Sequence, residues 1–186
     1  RLDFYSDKAD AKTGISPLNT ATKAVETAKL FIRQFSLEYQ NLLLCGNPGT
    51  GKTFLTNCIA KALMDRYVSV IYLSSPDLFE IFSKYKFNRG AEEDCEEAYR
   101  HILECEMLII DDLGTEVNNT FVSSQLFYCI NERINRKKGT IISTNLSMDM
   151  MRDTYSDRVT SRIMSSYMMI PLYGGDIRVK KTMTSV

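Results

Sequence analysis

The eight residues GNPGTGKT, Gly46 to Thr53, have the types and spacing that hold a chain of phosphates. Glycines let successive backbone N–H groups turn toward one anion, and a helix that follows adds its positive end. Lys52 then reaches the terminal phosphates, and the Thr53 hydroxyl ligates Mg²⁺. The context fits: LLLC before the loop reads as a buried strand, and FLTNCIAKAL after it as an amphipathic helix. Gly46, Asn47, Pro48, Gly49, Thr50, Gly51, Lys52 and Thr53, with Phe54 in the first helical turn, are the candidates for holding a nucleoside triphosphate.

Further candidates lie at the ends of later apolar runs. In MLIIDDLG, residues 107–114, a buried strand delivers two carboxylates to the sheet edge where the phosphate loop also opens. Asp111 is expected to bind Mg²⁺ through water, and Asp112 to orient or deprotonate the attacking water. The bland alternative is a solvated Asp-Asp turn. In IISTNLS, Asn145 brings a neutral amide toward the γ-phosphate, or serves only as a turn former. YSDRVTSRI sets Arg158 and Arg162 one helical turn apart on one face, and Arg178 follows in GGDIR. A phosphoryl transition state gathers negative charge and calls for such a cation, often from a neighbouring molecule. Solvated or ion-paired arginines are the other reading.

IFSKYKFNRG, residues 81–90, interleaves Phe82, Tyr85 and Phe87 with Lys84, Lys86 and Arg89. Rings stacked on bases and cations along phosphates make a single-stranded nucleic-acid contact. Core aromatics with a solvated cationic flank would leave the same pattern. RINRKK, at 133–138, reads as a helix C-terminus whose cations complement the dipole, with nucleic-acid contact the minority reading.

These side chains need elements to carry them. Apolar spacing predicts a helix over 20–35, after a turn at Ser16-Pro17, with Val25, Ala28, Ile32 and Phe35 inward and Phe31 beside them. Further helices are expected over 52–66, from the Ser-Ser-Pro-Asp cap at 74–77 to Tyr85, over 91–106, over 120–136 with Gly139 as its stop, and over 156–165. Leu55, Cys58, Ile59, Ala62 and Leu63 form the inner face of the second, and Leu126, Phe127, Ile130 and Ile134 that of the fifth. Strands fall at 42–45, 68–73, 107–110, 140–144 and 167–170. Strands without alternation, separated by helices, make a parallel sheet covered on both faces, so the fold class is a doubly wound α/β sandwich.

A chain of 186 residues suits one domain, divided here into an N-terminal linker over 1–19 and an ATPase domain over 20–186. Its 23 basic and 23 acidic residues cancel, so contact with a polyanion must come from a local patch. Five cysteines without a CxxC spacing read as reduced, buried thiols of a cytoplasmic protein, with a zinc site the minority reading, and no apolar run approaches the length of a membrane span. The start, RLDFYSDKAD, is neither a signal peptide nor a Met start and reads as cut from a longer protein. No N-K-x-D base-reading motif of a GTPase is present, nor an arginine-rich lid of a small-molecule kinase.

Taken in order, GNPGTGKT, LIIDDLGTE, STN, DRVTSRI and GGDIR resemble the AAA+ ATPase domain of bacterial replicative helicase loaders, the DnaC/DnaI family, with the transposition ATPase IstB a close relative. The likeness runs from about Asn41 to Arg178. It implies a P-loop NTPase three-layer αβα sandwich with a five-stranded parallel core, and ATP with Mg²⁺ bound between neighbouring subunits. By the same likeness Asn145 matches sensor 1, Arg162 the arginine finger, with Arg158 in reserve, and Arg178 sensor 2. The implied partners are the replicative DNA helicase, single-stranded DNA and further copies of the chain. The implied role is helicase loading, or, on the IstB side, regulation of transposition. Asp112 stands where most AAA+ proteins carry Glu, which implies slow or partner-dependent hydrolysis. With eight residues after Arg178, the helical lid is expected to be reduced or absent, and the loaders' N-terminal helicase-binding region to lie outside this sequence.

Overall fold

The computed structural model describes residues 2–9, 14–35, 37–87 and 93–177. After a short 3₁₀ turn at Leu2–Phe4, the order is α1 (Pro17–Gln34), β1 (Leu42–Cys45), α2 (Lys52–Met64), β2 (Val70–Ser74), α3 (Ser75–Phe87), α4 (Glu93–Glu104) and β3 (Met107–Leu113). It continues with α5 (Thr120–Asn135), β4 (Gly139–Thr144), α6 (Met148–Tyr155), α7 (Asp157–Ser166) and β5 (Met168–Pro171). The five strands are all parallel, in the order β2-β3-β4-β1-β5. Parallel strands bury both faces, which is why LLLC and MLII lack polar alternation.

Alternate strand residues feed two cores. Leu42, Leu44, Ile109 and Ile141 face α1 and α2, joined by Ala24, Ala28 and Phe31. Leu2 and Tyr5 pack against the same cluster. Leu43, Leu108, Ile110 and Ile142 face the other way, toward Leu78 and Phe82 of α3, Leu126 of α5 and Ile163 of α7. Asn41 ties the start of the sheet together. Its amide donates to Ser166 O at 3.1 Å and to the Tyr39 hydroxyl at 2.6 Å, and its Oδ1 accepts from Thr140 N at 2.8 Å.

Several local expectations change. Ser16-Pro17 opens α1 rather than turning before it: the Ser16 hydroxyl caps Asn19 N at 3.1 Å and Pro17 takes the first turn, where its missing N–H is harmless. The inward face of α1 is Thr20, Ala21, Ala24, Ala28 and Phe31, while Val25 and Ile32 line a cavity beside it. On α2 the buried face is Lys52, Thr56, Ile59, Ala60 and Leu63, and Cys58 is exposed. α5 stops at Asn135 with Lys137 at φ 52 making the turn, and Gly139 starts β4 instead of ending the helix. α6 has no counterpart in the sequence reading; with eight residues and two buried side chains, Met151 and Tyr155, it is too short for periodicity to register.

Arg133 is the largest correction in α5. It is fully buried, and its guanidinium donates to Ile102 O (2.5 Å), Cys105 O (3.1 Å), Gly139 O (2.6 Å) and Thr140 Oγ1 (3.0 Å). It binds the ends of α4 and α5 to the start of β4, which is more than a surface cation complementing a dipole.

Candidate functional site

The carboxyl ends of β1, β3 and β4 bring the sequence candidates to one edge. Gly46 leaves β1 at φ 146, and a Cβ there would lie 1.9 Å from Leu172 O, so the backbones could not pass. Gly51, at φ 92, turns the loop into α2 in a conformation that a residue with Cβ rarely adopts. Lys52 starts that helix, and its side chain folds back into the loop, only 4% exposed. Its ammonium donates to Gly46 O (2.8 Å), Asn47 O (2.9 Å) and Asn145 Oδ1 (2.6 Å). Lys52 and Asn145 are thus in direct contact.

β3 runs through both acids and is irregular between Ile110 and Leu113 in its pairing with β4. Asp112 adopts φ 54 there, and its backbone N–H donates to Ser143 Oγ at 2.9 Å. The irregularity re-aims two successive carboxylates that an even strand would send to opposite faces. Asp111 is 7% exposed; its Oδ1 accepts from the Ser143 hydroxyl and, at 3.4 Å, from Thr53, and its Oδ2 accepts from Tyr72 at 2.8 Å. Burial, with Asp111 adding to it, raises the Tyr72 phenol above its usual range, so it remains a donor. Thr53 and Asp111 offer hard oxygen donors side by side, the chemistry a divalent cation such as Mg²⁺ requires. Asp112, Asn145, Gly49, Lys52 and Thr53 share the walls of one cavity of about 310 Å³.

Phe54 lines that cavity and also a second, apolar one of about 840 Å³ between α1, α2 and the N-terminal segment. Tyr5, Val25, Leu55, Cys58 and Ile177 line the second cavity, which a flat apolar group beside the phosphate loop would fit. No motif in the sequence marks it, because its walls come from four separated segments. The chain returns over the loop at its other end: Ile177 N donates to Gly49 O at 3.0 Å, and the Tyr5 hydroxyl to Thr50 O at 2.8 Å. Arg178 lies outside the described residues.

The α7 arginines do not join this edge. Arg162 is half-buried with its charge in reach of Tyr39, at the end of the sheet where β1 begins, and its Nε has no hydrogen-bond partner among the described residues. Arg158 is exposed, 5.5 Å over the Phe127 ring. In α3 the three aromatics separate: Phe82 is core at 1% exposed, which removes it from any nucleic-acid contact. Tyr85, 39% exposed, stacks on Tyr99 at 4.1 Å, and Phe87, 65% exposed, leans on Phe121 at 5.0 Å. Lys84 is paired with Glu80 at 2.6 Å, and Arg89 lies outside the described residues. Glu116, which no expectation singled out, accepts from Ser75 Oγ (2.5 Å), Gly114 N (3.0 Å) and the Tyr155 hydroxyl, joining the loop after Asp112 to α3 and α6.

A phosphate loop opening at the carboxyl edge of a five-stranded parallel sheet, with paired acids and an asparagine on the neighbouring strands, defines a P-loop ATPase fold of the AAA+ class. Within it, the chain belongs to the IstB-like ATP binding protein family, which it matches over residues 19–182. Among curated proteins it is similar to the replicative helicase loader DnaC of Escherichia coli, 24% identical over 140 residues, covering 75% of this chain and 56% of that protein. The chain therefore spans about half the length of the curated loaders it matches. Among solved structures, a crystal structure of the DnaC helicase loader aligns over 92% of this chain and 96% of that one, at 25% identity and a TM-score of 0.72. The replication initiator DnaA, bound to AMPPCP and single-stranded DNA, shares the fold over 88% of this chain and 50% of that one, at 20% identity and a TM-score of 0.71. No helix among the described residues is long and apolar enough to cross a membrane.

Proposed function

We propose that this chain is the ATPase part of a cytoplasmic helicase loader, which binds ATP with Mg²⁺, engages single-stranded DNA and a replicative helicase, and hydrolyses ATP slowly. The observation that carries this reading is the Lys52–Asn145 bond at the mouth of the phosphate loop, 2.6 Å long between residues 93 positions apart. It lets one anion act on both the loop and β4. The loop N–H groups and Lys52 hold the terminal phosphates, Asn145 places the attacking water, and Asp112 accepts its proton. Mg²⁺, when bound by Thr53 and Asp111, supplies positive charge to the β- and γ-phosphates. By the family likeness Arg178 takes the sensor 2 role toward the same phosphates, and Arg162 serves the site of a neighbouring copy. The apolar cavity beside Phe54 takes the base.

A second reading is favoured by the family itself, whose namesake is IstB: an ATPase that regulates DNA transposition. The first of two measurements tests the nucleotide site that both readings share, and the second separates them. Lys52→Ala should abolish ATP binding, measured by equilibrium titration, and unchanged affinity would remove the nucleotide site. A pull-down of the full-length protein with a replicative helicase, with and without ATP, should retain the helicase if the loader reading holds. No retention under either condition would favour the transposition reading.

A further inference from the structure

Tyr72 brings a hydroxyl to the α1–α2 side of the sheet, where it and Val70 pack against the apolar cluster. A hydroxyl there must find partners or remain an unsatisfied buried dipole. It finds three: Asp111 Oδ2 at 2.8 Å, Thr56 Oγ1 at 2.9 Å and Asn57 Nδ2 at 3.3 Å. Donor bookkeeping fixes the directions. An ionised carboxylate only accepts and a phenol has one proton, so Tyr72 donates to Asp111 and accepts from Asn57. The Thr56 hydroxyl serves either Tyr72 or Thr53 O, which lies 3.0 Å away.

The reach is set by register. Tyr72 pairs with Ile109, two residues before Asp111, so its hydroxyl must climb about 6.6 Å along the strand. A tyrosine ring spans that height; serine or threonine would not. Asp111 is then held on both oxygens, Oδ2 by β2 and Oδ1 by Ser143 of β4. Without such a clamp the terminal torsion of an aspartate is broad. With it, Oδ1 stays aimed at the Thr53 hydroxyl, 3.4 Å away, longer than a strong O–H···O bond.

We propose that Tyr72 is a positioning residue that, by fixing Asp111, sets the affinity of the nucleotide site for its divalent cation. This rests on the reading of Thr53 and Asp111 as the cation side of an ATP site. The test compares wild type, Tyr72→Phe and Tyr72→4-aminophenylalanine, the last returning a donor to the same place. Binding of a fluorescent N-methylanthraniloyl ATP is titrated in EDTA and against Mg²⁺, with the melting temperature of each protein taken without ligand. In Tyr72→Phe the half-saturating Mg²⁺ should rise roughly tenfold, while affinity in EDTA stays within about twofold of wild type. The aminophenylalanine variant should move back toward wild type. A Mg²⁺ requirement unchanged in Tyr72→Phe overturns the proposal and leaves the ATP site standing. An equal loss in the aminophenylalanine variant also overturns it, because the effect would then be packing. If wild type itself shows no Mg²⁺-dependent binding, the cation reading of Thr53 and Asp111 fails, and this proposal with it.

Discussion

Asp112 combines a charge with a backbone that few residues tolerate. Its φ of 54 is the left-handed region, which Asp and Asn visit and Ala resists by about 1–2 kcal/mol. Stability and chemistry can therefore be separated at one position. Asp112→Asn should melt with wild type and lose ATP turnover by about a hundredfold, as loss of a general base does. Asp112→Ala should lose the same turnover and also melt lower, by about 2–4 °C per kcal/mol in a chain of this size. Steady-state hydrolysis and a thermal melt on both variants check this, and an active Asp112→Asn would remove the catalytic role. The Asp pair was legible in the sequence because carboxylates after MLII have no place in a strand core. The hydroxyls of Tyr72 and Ser143 that hold Asp111 were not, since a tyrosine or serine in a strand gives no local sign of its partner.

At the scale of elements, buried polar side chains hold the joints. Arg133, on α5, closes three backbone carbonyls, two at the end of α4 and one at the start of β4. Arg133→Met keeps most of the volume and leaves those carbonyls without that donor, so it should cost about 3 kcal/mol or more in urea unfolding. A loss under about 1 kcal/mol would mean that the carbonyls find other partners. α3 carries a second prediction. Its aromatics share a helix but not a face, so Phe82→Ala should cost about 3–5 kcal/mol of stability and spare any DNA affinity of the folded protein. Phe87→Ala should do the reverse, weakening single-stranded DNA binding by about 1–3 kcal/mol with the melt nearly unchanged. Salt titration of the same binding should show affinity falling as counterion release is suppressed. Equal DNA affinity for wild type and Phe87→Ala would return this surface to packing alone.

For the whole molecule, the ends of the sheet do different work. Lys52, Asp112 and Asn145 sit where the strands end, and Arg162 lies near Tyr39, where β1 begins. From Asn41 to Gly46 the strand rises about 17 Å, so Arg162 has no route to the phosphates held by its own loop. The arginine-finger role proposed for it therefore requires a neighbouring copy. Arg162→Ala should bind ATP and lose turnover, and mixing it with Lys52→Ala should restore part of the rate by assembling interfaces with one intact loop and one intact arginine. Turnover per molecule should rise with protein concentration. Arg158→Ala serves as the comparison, since that guanidinium already rests on Phe127. A concentration-independent rate with Arg162→Ala fully active would sink the idea.

Short-range chemistry was readable in the chain itself. A glycine-rich turn between an apolar strand and an amphipathic helix binds phosphate through its own backbone, and apolar runs separated by helical periods dictate a buried parallel sheet. Those signals lie within a few residues of one another, so GNPGTGKT, MLIIDDLG and the α/β class needed no contact map. The joining of Lys52 to Asn145, the clamp of Tyr72 on Asp111, the burial of Arg133 and the split between Phe82 and Phe87 depend on which strands are neighbours and which helix face is covered. Helical spacing puts a residue on a stripe without saying what lies opposite it. The order β2-β3-β4-β1-β5 supplies what lies opposite, and only packing of the whole chain determines that order.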